Sequence, residues 1–444
     1  MIVPETTETI HSQQRYLVVG LGLTGYSVAL YLLRNGYDCA VQDDRQQPPY
    51  LAKLMELYPQ ATVLQQPLSK ISVKDFDCFV VSPGLSIRSS LIKKVAQSGM
   101  RVIGDIELFA EAVNKPVLAI TGSNGKSTVT KLVGEMIAAD GYTVGVGGNI
   151  GTPALELLDK GADYYVLELS SFQLETTHSL APLVSAVLNI SEDHMDRYDD
   201  LNDYQQTKLS ISRKAQFYVS NGDDPLSQNS IKDVKFSIKN ASVSYSVIPY
   251  PTIQLAVNGD GWIDTSDLKI KGRHNWANCL AAIAMADLAG ISRNAIVSAL
   301  KSFNGLPHRS EWIATLEGVS WINDSKATNP GAAQAAIDGM DEPVILIAGG
   351  QGKGADMNVL CESLKRKVKT VLLMGQDAEI MQQSWSGCVA IERVKDMAEA
   401  VNRARTIAKE GDIVLLSPAC ASFDMYTGFE ARGEHFATLV RSMA

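Results

Sequence analysis

The chain has 444 residues, of which 45% are hydrophobic and 20% charged, and its formal net charge is −9. This length is too great for one hydrophobic core and indicates two to four globular domains. The negative charge, with basic residues scattered along the chain, argues against nucleic acid or an anionic membrane as a partner.

Six cysteines lie far apart, mostly within apolar runs, and none forms a pair with metal-binding spacing. We therefore expect reduced cysteines rather than disulfides. The first fourteen residues are polar and lack the apolar centre of a signal peptide. No apolar run approaches the length of a transmembrane helix, so the sequence predicts a cytoplasmic protein without membrane insertion.

The first predicted unit begins with a buried strand, Tyr16 to Gly20, followed by a GLGLTG turn and a helix. A second strand ends at Asp43, about twenty positions on, as in dinucleotide-binding turns. Taken alone, this pattern makes a NAD-dependent oxidoreductase the first candidate. The same turn holds any diphosphate at a helix N-terminus, so it does not identify the ligand. Further strand–helix alternation predicts an open parallel sheet that ends near Gly104.

The second unit begins with an apolar strand, the stretch TGSNGKST and a helix that stops at Gly141. Such a turn directs backbone N–H groups and a positive helix end at phosphate, and its lysine reaches the outer phosphates. The loop departs from the common P-loop because Ile120 stands where that pattern has glycine. A nucleoside triphosphate site is still predicted, with Ser127 or Thr128 offering a hydroxyl to Mg²⁺. Its residues are Gly122, Ser123, Asn124, Gly125, Lys126, Ser127 and Thr128.

Two further strands of this unit end in polar residues, Glu168 on one and the stretch that contains His194 on the next. Ligands of doubly wound sheets sit at the carboxyl ends of the strands. Beside a phosphate loop, an acid and a histidine are candidates for holding Mg²⁺, directly or through water. Taken singly, each is as well explained as an ordinary strand-end or loop residue.

Lys208 lies on the apolar stripe of a predicted helix, 201–215, together with Leu201, Tyr204 and Ile211. A lysine there usually extends its ammonium group to solvent. Alternatively, it is held inward because a site needs its amine. The spacing alone favours the first interpretation.

Polar and apolar residues alternate near 240–270, which predicts antiparallel strands around the turn Asn258-Gly259. Asn275 and Asn278 follow near the start of a helix, where they bind a ligand ring or cap the helix. The segment 306–309 reads as a linker to a third alternating unit. In that unit the polar clusters 323–329, 349–354 and 417–423 each follow a strand, so they should line one cleft.

In combination these motifs closely resemble the Mur ligases of bacterial peptidoglycan synthesis, in particular the members that add D-glutamate. The resemblance covers all but about the first dozen residues, and the unusual phosphate loop is the form found in that family. It rests on GLGLTG, SPG, GDIELF, TGSNGKST, GGNIG, LELSSFQLE, EDHMDRY, LPHR, NDSKATN, GGQGKGAD and SPACAS.

The resemblance implies an α/β fold with three domains. These are a Rossmann-like UDP-sugar-binding domain (1–104), a central ATP-binding domain with a parallel sheet (105–305) and a Rossmann-like C-terminal domain that binds D-glutamate (306–444). It further implies ATP-dependent ligation of D-glutamate to UDP-N-acetylmuramoyl-L-alanine through an acyl phosphate and a tetrahedral intermediate, with Mg²⁺ as cofactor. We expect a monomer with no nucleic acid partner.

The resemblance also assigns residues. Those implied for the UDP-sugar are Leu23, Thr24, Arg45, Ser82, Pro83, Gly84, Asn149 and Ser170. ATP would add Asn275, Arg309 and Asp324 to the phosphate loop, and D-glutamate would be bound by Lys326, Thr328, Lys353, Ser422 and Phe423. The implied metal set is Ser127, Glu168, His194 and Lys208, and the catalytic set is Lys126, His194, Lys208 and Asn149. In that family the lysine at the position of Lys208 is carbamylated, which favours an inward side chain; His308 receives no role.

Three alternatives remain at this point. A NAD-dependent oxidoreductase explains Gly20 to Gly25 and Asp43 but leaves the phosphate loop unexplained. A nucleotide-gated binding module would turn over ATP without an amino acid. An enzyme similar to folylpolyglutamate synthase shares the general plan, although the GLGLTG unit favours a UDP-sugar.

Overall fold

The computed structural model describes residues 14–195, 197–230, 232–270, 272–340 and 342–443. The polar N-terminus noted above therefore lies outside the described residues as far as residue 13. The chain divides into two compact units, Met1–Phe236 with Ala281–Ile296 and Ser237–Leu280 with Val297–Ala444. The three domain bounds implied by the resemblance stay predictions.

The first unit opens with the predicted parallel sheet, whose strands lie in the order β3-β2-β1-β4-β5. The three central strands of this sheet, β2, β1 and β4, are mostly buried, as in sheets that are covered on both faces. The strands are β1 (Arg15–Val19), β2 (Asp38–Gln42), β3 (Thr62–Leu64), β4 (Cys78–Val81) and β5 (Arg101–Ile103). The helices are α1 (Leu23–Arg34), α2 (Leu51–Leu57), α3 (Ser90–Gln97) and α4 (Asp105–Ala112).

The same unit contains the strands around the phosphate loop, all parallel, in the order β11-β10-β9-β6-β8-β7. They are β6 (Val117–Thr121), β7 (Val144–Gly148), β8 (Tyr164–Glu168), β9 (Val184–Val187), β10 (Phe217–Asn221) and β11 (Val234–Ser237). The helices are α5 (Lys126–Ala139), α6 (Ala154–Leu158), α7 (Ser171–Leu174) and α8 (Leu201–Leu209). Because β6 lies between β8 and β9, the loop after β6 has the ends of both neighbouring strands beside it.

Two long helices, α9 (Arg273–Leu288) and α10 (Arg293–Ser302), contribute residues to both units. The second unit also holds three antiparallel strands, β12 (Tyr245–Ile248), β13 (Gln254–Val257) and β14 (Asp260–Asp264). Asn258 and Gly259 both have positive φ, 51° and 82°, between β13 and β14. This is the backbone that an Asn-Gly hairpin turn requires, so the predicted turn is confirmed.

The rest of the second unit is a sheet in the order β15-β16-β20-β17-β18-β19, parallel except for the antiparallel pair β15–β16. Its strands are β15 (Glu311–Leu316), β16 (Val319–Asn323), β17 (Val344–Gly349), β18 (Val368–Met374), β19 (Ala390–Arg393) and β20 (Ile413–Leu416). Its helices are α11 (Pro330–Asp338), α12 (Cys361–Lys367), α13 (Ala378–Ser384), α14 (Met397–Ile407) and α15 (Phe429–Arg441). The sequence pattern missed β15 and β19, the two edge strands, because neither is apolar throughout.

Local capping explains where several helices begin. Asp200 accepts a hydrogen bond from the Asp203 amide at 2.8 Å and so caps α8. Asn329 caps α11 in the same way, and Pro330 follows at the first helical position. Both residue types satisfy amides that have no partner within the helix.

One cysteine prediction is wrong. Cys361 and Cys388 form a disulfide, with their Cα atoms 5.5 Å apart. The pair is separated by 27 residues, so the sequence spacing gave no sign of it. The fold brings the two cysteines together, whereas Cys39, Cys78, Cys279 and Cys420 are free and buried. Among the described residues, no helix combines the length and the apolar character needed to cross a bilayer.

Candidate active site

The phosphate loop joins β6 to α5 and depends on two glycines with positive φ. Gly125 has φ 83° and caps α5, while Gly122 has φ 155°. A β-carbon on Gly122 would lie 3.1 Å from Cβ of Leu188, so a side chain there would press on the neighbouring strand end. Glycine therefore lets the loop pass close to β9 and present its backbone at the start of α5.

Asn189, which the sequence analysis missed, holds this loop in place. Its side-chain oxygen accepts from the Asn124 amide at 2.8 Å, and its Nδ2 donates to the Asn124 carbonyl at 3.0 Å. The Ser123 amide donates to the Asn189 carbonyl at 2.9 Å. Asn189 lies within the apolar run 186–190, and a lone amide in such a run is the signal that could have identified it.

Both predicted lysines turn towards this loop. Nζ of Lys126 donates to the carbonyls of Gly122 and Ser123 at 2.8 and 2.9 Å. Nζ of Lys208 donates to the same Gly122 carbonyl at 2.9 Å. The fold therefore brings two side-chain amines to one backbone oxygen of the loop, that of Gly122.

Lys208 is held inward, as the resemblance implies and against the preference drawn from spacing alone. Only 2% of the residue is exposed, and its Nζ lies 4.6 Å from the centre of the Tyr204 ring. Burial, followed by the charge of Lys126, lowers the pKa of Lys208 well below its usual value. A buried lysine with a lowered pKa has more neutral amine available than a solvated one.

Glu168 ends β8 beside the loop and is almost completely buried. Its Oε1 accepts from Nδ2 of Asn149 at 2.9 Å, and the Asn149 amide donates to the Glu168 carbonyl at 2.8 Å. The other oxygen, Oε2, is buried and has no hydrogen-bond partner among the described residues. An unpaired carboxylate oxygen is a ligand that Mg²⁺ accepts, so the residues here fit that ion.

His194 lies in the segment after β9, with its backbone in the left-handed region at φ 57°. Nε2 is 3.5 Å from Oδ2 of Asp193, and the ring centre is 4.7 Å from that of Phe172. Among the described residues no group of three or more His, Cys, Asp or Glu side chains is arranged to hold a metal. A magnesium ion at this place would take most of its oxygen ligands from phosphate and water, which is its usual behaviour.

Ser170, the predicted sugar-site residue after β8, caps α7 in a reciprocal arrangement with Gln173. Nε2 of Gln173 in turn donates to Oδ2 of Asp105, the first residue of α4, at 3.0 Å. Oδ1 of Asp105 is buried and lacks a hydrogen-bond partner among the described residues. The hydrogen bonds from Ser170 to Gln173 and from Gln173 to Asp105 therefore hold Ser170 in place.

We predict that Asp105 makes stability depend on pH. Burial raises the pKa of Asp105 to about 6, from an unfolded value of about 4. The folded protein thus binds this proton more tightly, and the associated stability is full below about pH 4 and lost as the pH rises through about 6. Asp105→Asn should gain up to about 3 kcal/mol of unfolding free energy relative to the wild type between about pH 4 and pH 7.5.

Denaturant titrations at the two pH values measure this difference. Asp75→Asn, at an exposed position, is the control and should follow the wild type. If the difference in unfolding free energy between the wild type and Asp105→Asn is the same at both pH values, the prediction is wrong.

The GLGLTG turn of the first sheet brings its backbone segments so close together that it requires glycine. Gly20 has φ 93°, and a β-carbon on Gly25 would lie 1.8 Å from the Gly20 carbonyl oxygen. Ser82, at the end of β4, donates to that same carbonyl at 3.2 Å. The turn and the Ser82 loop therefore meet at one edge of the sheet.

Asp43, the acidic residue of the dinucleotide pattern, is already engaged. It accepts from the Leu21 amide at 2.8 Å and from Arg45 Nε and Nη2 at 2.8 and 2.6 Å. The Arg45 hydrogen bond, despite burial, lowers the pKa of Asp43 to about 2. A carboxylate that holds the turn and Arg45 has less capacity for a ribose diol, which weakens the NAD interpretation.

Exposed side chains surround this turn. Leu23 is 46% exposed, and the side chain of Arg45 is half exposed. Both are thus accessible to solvent near the helix N-terminus, and their role in a sugar-nucleotide site stays a prediction.

In the second unit the three polar clusters come together as expected. Gly349 donates to Pro418, and Gln351 and Ala421 exchange two backbone hydrogen bonds of 2.9 and 3.0 Å. Oδ2 of Asp324 accepts from Ser417 Oγ at 2.9 Å. The carboxyl ends of β16, β20 and β17 are adjacent, which brings the clusters to one edge.

Asp324 is buried at the centre of this edge. Its Oδ1 accepts from the Ser310 amide at 3.0 Å, and burial raises its pKa to about 7, with the Arg309 charge opposing that effect. Asn275, elsewhere in the unit, is 5% exposed and accepts from Nδ2 of Asn278 at 3.1 Å. The two asparagines thus bond to each other, a contact that was not predicted, and their roles as ligand contact or helix cap stay predictions.

Arg432 is a buried residue that the sequence analysis missed. Its Nε donates to Ser325 Oγ at 2.9 Å, and its other nitrogens donate to the carbonyls of Ser325 and Cys420. It thus joins two of the polar clusters with a cation. Because α15 also carries Glu430, Glu434 and Arg441, its sequence offers no signal that singles out Arg432.

Lys326 and Lys353, two of the implied D-glutamate residues, each approach an aromatic ring. Nζ of Lys326 lies 3.8 Å from the centre of the Phe429 ring, and Nζ of Lys353 lies 5.7 Å from that of Phe423. Phe423 is 66% exposed, whereas Ser422 beside it is buried. Phe429 was not among the predicted residues. The Thr328 amide donates to the Lys326 carbonyl, which folds this loop back on itself.

The structure thus places the predicted residues in two sets, one in each compact unit. The first holds the GLGLTG turn, the Ser82 loop, the phosphate loop, Glu168, His194 and Lys208. The second holds Asn275, Arg309, Asp324 and the implied D-glutamate residues.

Comparison with known proteins identifies the family. Three family models match: the MurD-like N-terminal domain of Mur ligases at residues 14–104, the Mur ligase middle domain at 120–286 and the Mur ligase glutamate ligase domain at 308–420. The UDP-N-acetylmuramoylalanine–D-glutamate ligase of Methylococcus capsulatus is 45% identical over 97% of this chain and 95% of its own length. The corresponding protein of Pseudomonas aeruginosa is 46% identical over 98% and 99%.

The fold has relatives among solved structures as well. The UDP-N-acetylmuramate–alanine ligase of Thermotoga maritima, at 19% identity, superposes with a TM-score of 0.60 over 97% of this chain and all of that one. A structural match at 19% sequence identity supports the fold alone. The relatives with 45–46% identity and the three family models support membership of the family. This chain belongs to the Mur ligase family.

Proposed function

We propose that the protein is an ATP-dependent ligase that joins D-glutamate to the L-alanyl carboxylate of UDP-N-acetylmuramoyl-L-alanine, a step in the synthesis of peptidoglycan precursors. The observation that carries this proposal is the phosphate loop with Lys126 and Lys208 on one carbonyl, that of Gly122. The chain is similar over nearly its full length to proteins named UDP-N-acetylmuramoylalanine–D-glutamate ligase, and this similarity supports the choice of substrates. The monomeric state and the cytoplasmic location stay predictions.

The UDP part of the acceptor would lie on the GLGLTG turn. A diphosphate there meets the N-terminus of α1 and the half-exposed Arg45. Ser82, Pro83 and Gly84 form the adjoining loop, and Asn149 and Ser170 stand at the strand ends towards the phosphate loop. A binding path from uracil to the alanyl carboxylate can therefore run along residues of the first unit.

The chemistry begins with a carboxylate, which is a poor electrophile. Its oxygen first takes the γ-phosphoryl group of ATP, and this requires two anions to approach each other. Lys126 and the amides at the start of α5 offset that repulsion and stabilise charge on the transferred group. When bound, Mg²⁺ supplies further positive charge at the same oxygens. Glu168, His194, Ser127 and a carbamylated Lys208 are the residues that would hold it.

Carbamylation of Lys208 suits its surroundings. A neutral amine attacks CO₂ to form an N–C bond and releases one proton, and the product is an anionic carbamate. Burial favours the neutral amine at Lys208. The modified side chain carries a negative charge beside Lys126 and offers oxygen to a cation, which removes the cost of a buried ammonium group.

D-glutamate would bind in the second unit with its carboxylates at the cationic edge. Lys326, Lys353 and Arg432 supply positive charge, and Ser422 and Thr328 supply hydroxyls. Its amine attacks the acyl phosphate, passes through a tetrahedral intermediate, and phosphate leaves. Asn275, Arg309 and Asp324 stay predicted ATP-binding residues.

The test is an omission experiment. Phosphate release is measured with ATP, Mg²⁺, UDP-N-acetylmuramoyl-L-alanine and D-glutamate, leaving out each in turn, and the product is weighed by mass spectrometry. Release that requires all four, with a product heavier by one glutamate residue, is expected. Release without an amino acid, or with L-glutamate, lysine or diaminopimelate in place of D-glutamate, would refute the proposal as stated.

A further inference from the structure

A stack of three side chains connects His194 to the loop after β4. The Phe172 ring, on α7, contacts both the ring of His194, which is tilted by 59° against it, and the guanidinium of Arg197. The His194 ring centre is 4.7 Å from that of Phe172, and the carbon of the guanidinium is 3.9 Å from it.

Arg197 is anchored at its far end to the loop that contains Ser82, Pro83 and Gly84. Its Nη1 donates to the Pro83 carbonyl at 2.8 Å, and its Nη2 donates to the Leu85 carbonyl at 3.2 Å. The side chain is only 9% exposed. A guanidinium with that burial and two backbone acceptors has little freedom to move independently of the loop.

One carboxylate, that of Glu175, also holds this guanidinium. Nη2 of Arg197 also donates to Glu175 Oε2 at 2.5 Å, and Glu175 Oε1 accepts from Arg88 Nε at 3.2 Å. Arg88 is paired in turn with both oxygens of Asp203 on α8. Buried charged groups that are paired in this way are held in one geometry.

We propose that Phe172 and Arg197 are positioning residues for His194. Through these two residues, a ligand bound at the 82–85 loop changes how His194 is positioned. The proposal rests on the function proposed above, in which that loop carries the UDP-sugar and His194 lies at the phosphoryl-transfer centre. Nothing in the mechanism itself requires an aromatic ring at position 172.

His194 needs such support for two reasons. Its side chain is 47% exposed, so solvent does not hold the ring in one orientation. Its backbone has φ 57°, a conformation that a residue other than glycine keeps only where the surroundings impose it. The Phe172 ring contacts the imidazole at an interplanar angle of 59°, and the guanidinium of Arg197 contacts the same Phe172 ring.

The first experiment measures metal affinity without turnover. Mn²⁺ replaces Mg²⁺, a non-hydrolysable ATP analogue occupies the loop, and free Mn²⁺ is followed by electron paramagnetic resonance. Phe172→Leu should weaken Mn²⁺ binding by about 10- to 100-fold, the range found when groups that orient metal ligands are removed. Phe172→Tyr keeps the ring and should restore most of the affinity. Phe172→Met, with similar volume and no ring, should behave as leucine does.

The second experiment measures coupling. UDP-N-acetylmuramoyl-L-alanine should change the Mn²⁺ affinity of the wild type, and by linkage Mn²⁺ should change the affinity for the UDP-sugar by the same factor. Arg197→Met keeps an apolar side chain over Phe172 but loses the donors to the loop, and should reduce this factor towards one. Arg15→Met is the matched control, because Arg15 lies 5.1 Å from the Phe76 ring in the same unit and has no role in the stack.

Wild-type Mn²⁺ affinity in Phe172→Leu and Phe172→Met, or unchanged coupling in Arg197→Met, overturns the proposal. So does an equal loss in Arg15→Met, which would indicate a general loss of stability. If the wild type forms no ligated product in the omission experiment, the proposed function is wrong. That experiment does not depend on Mn²⁺ binding, so the two proposals are tested separately.

Discussion

Lys126→Ala should lower the rate of ligation by at least about 10²- to 10³-fold, the usual cost of removing one donor that stabilises a developing anion. The reason is geometric: Nζ of Lys126 lies on the Gly122 and Ser123 carbonyls, at the mouth of the loop that cradles phosphate. Affinity for UDP-N-acetylmuramoyl-L-alanine, measured by calorimetry without ATP, should remain near that of the wild type. The turn that is proposed to hold UDP belongs to another sheet.

Two further variants make this measurement interpretable. Lys126→Met keeps most of the volume of the side chain and should be as inactive as alanine, which separates the charge from the packing of the loop. Lys131→Ala, on the exposed side of the same helix, should retain activity. Loss of UDP-sugar binding together with ligation would show that the two sites are not separate.

Lys208→Ala should be inactive, and a short carboxylic acid such as acetate should restore part of the activity. Alanine removes the amine that reacts with CO₂ and leaves a gap beside Tyr204 and Gly122. A small carboxylate can occupy that gap and supply the oxygens of the missing carbamate. Removing dissolved CO₂ and bicarbonate from the wild type should lower its activity for the same reason.

Lys214→Ala is the control for this experiment, since Lys214 is exposed just beyond the same helix. It should be active without any additive and unaffected by acetate. Full activity of Lys208→Ala without a carboxylic acid would refute carbamylation as a requirement.

The roles of individual site residues stay predictions, but the surroundings of some residues favour one role over another. Glu168 has one oxygen held by Asn149 and one buried without a hydrogen-bond partner among the described residues. Asp43 is used to hold the GLGLTG turn and Arg45. The first arrangement has capacity for a cation, and the second has little left for a ribose.

Local features of the sequence were sufficient to predict the strand–turn–helix units. The predicted sheet that ends near Gly104 has its last strand at Arg101–Ile103, and the predicted turn Asn258-Gly259 joins β13 to β14. Gly20 and Gly125 lie in the two predicted glycine-rich turns, and both have positive φ. These features depend on residues a few positions apart, and the pattern of apolar residues and glycines records them directly.

Contacts between distant parts of the chain could not be predicted in this way. The hydrogen bond from Lys208 to Gly122 spans 86 residues, that from the Asn124 amide to Asn189 spans 65, and that from Arg432 to Ser325 spans 107. The disulfide of Cys361 and the stack of Phe172 on Arg197 likewise depend on neighbours in space.

The sequence by itself determined the α/β class, the phosphate loop and the family resemblance, because each is written in short runs of residues. Only the tertiary structure decided that Lys208 points inward, that Asn189 holds the loop and that Phe172 links His194 to Arg197. The physical reason is the strand order: β6 lies between β8 and β9, and this order brings segments far apart in the chain to one edge of the sheet.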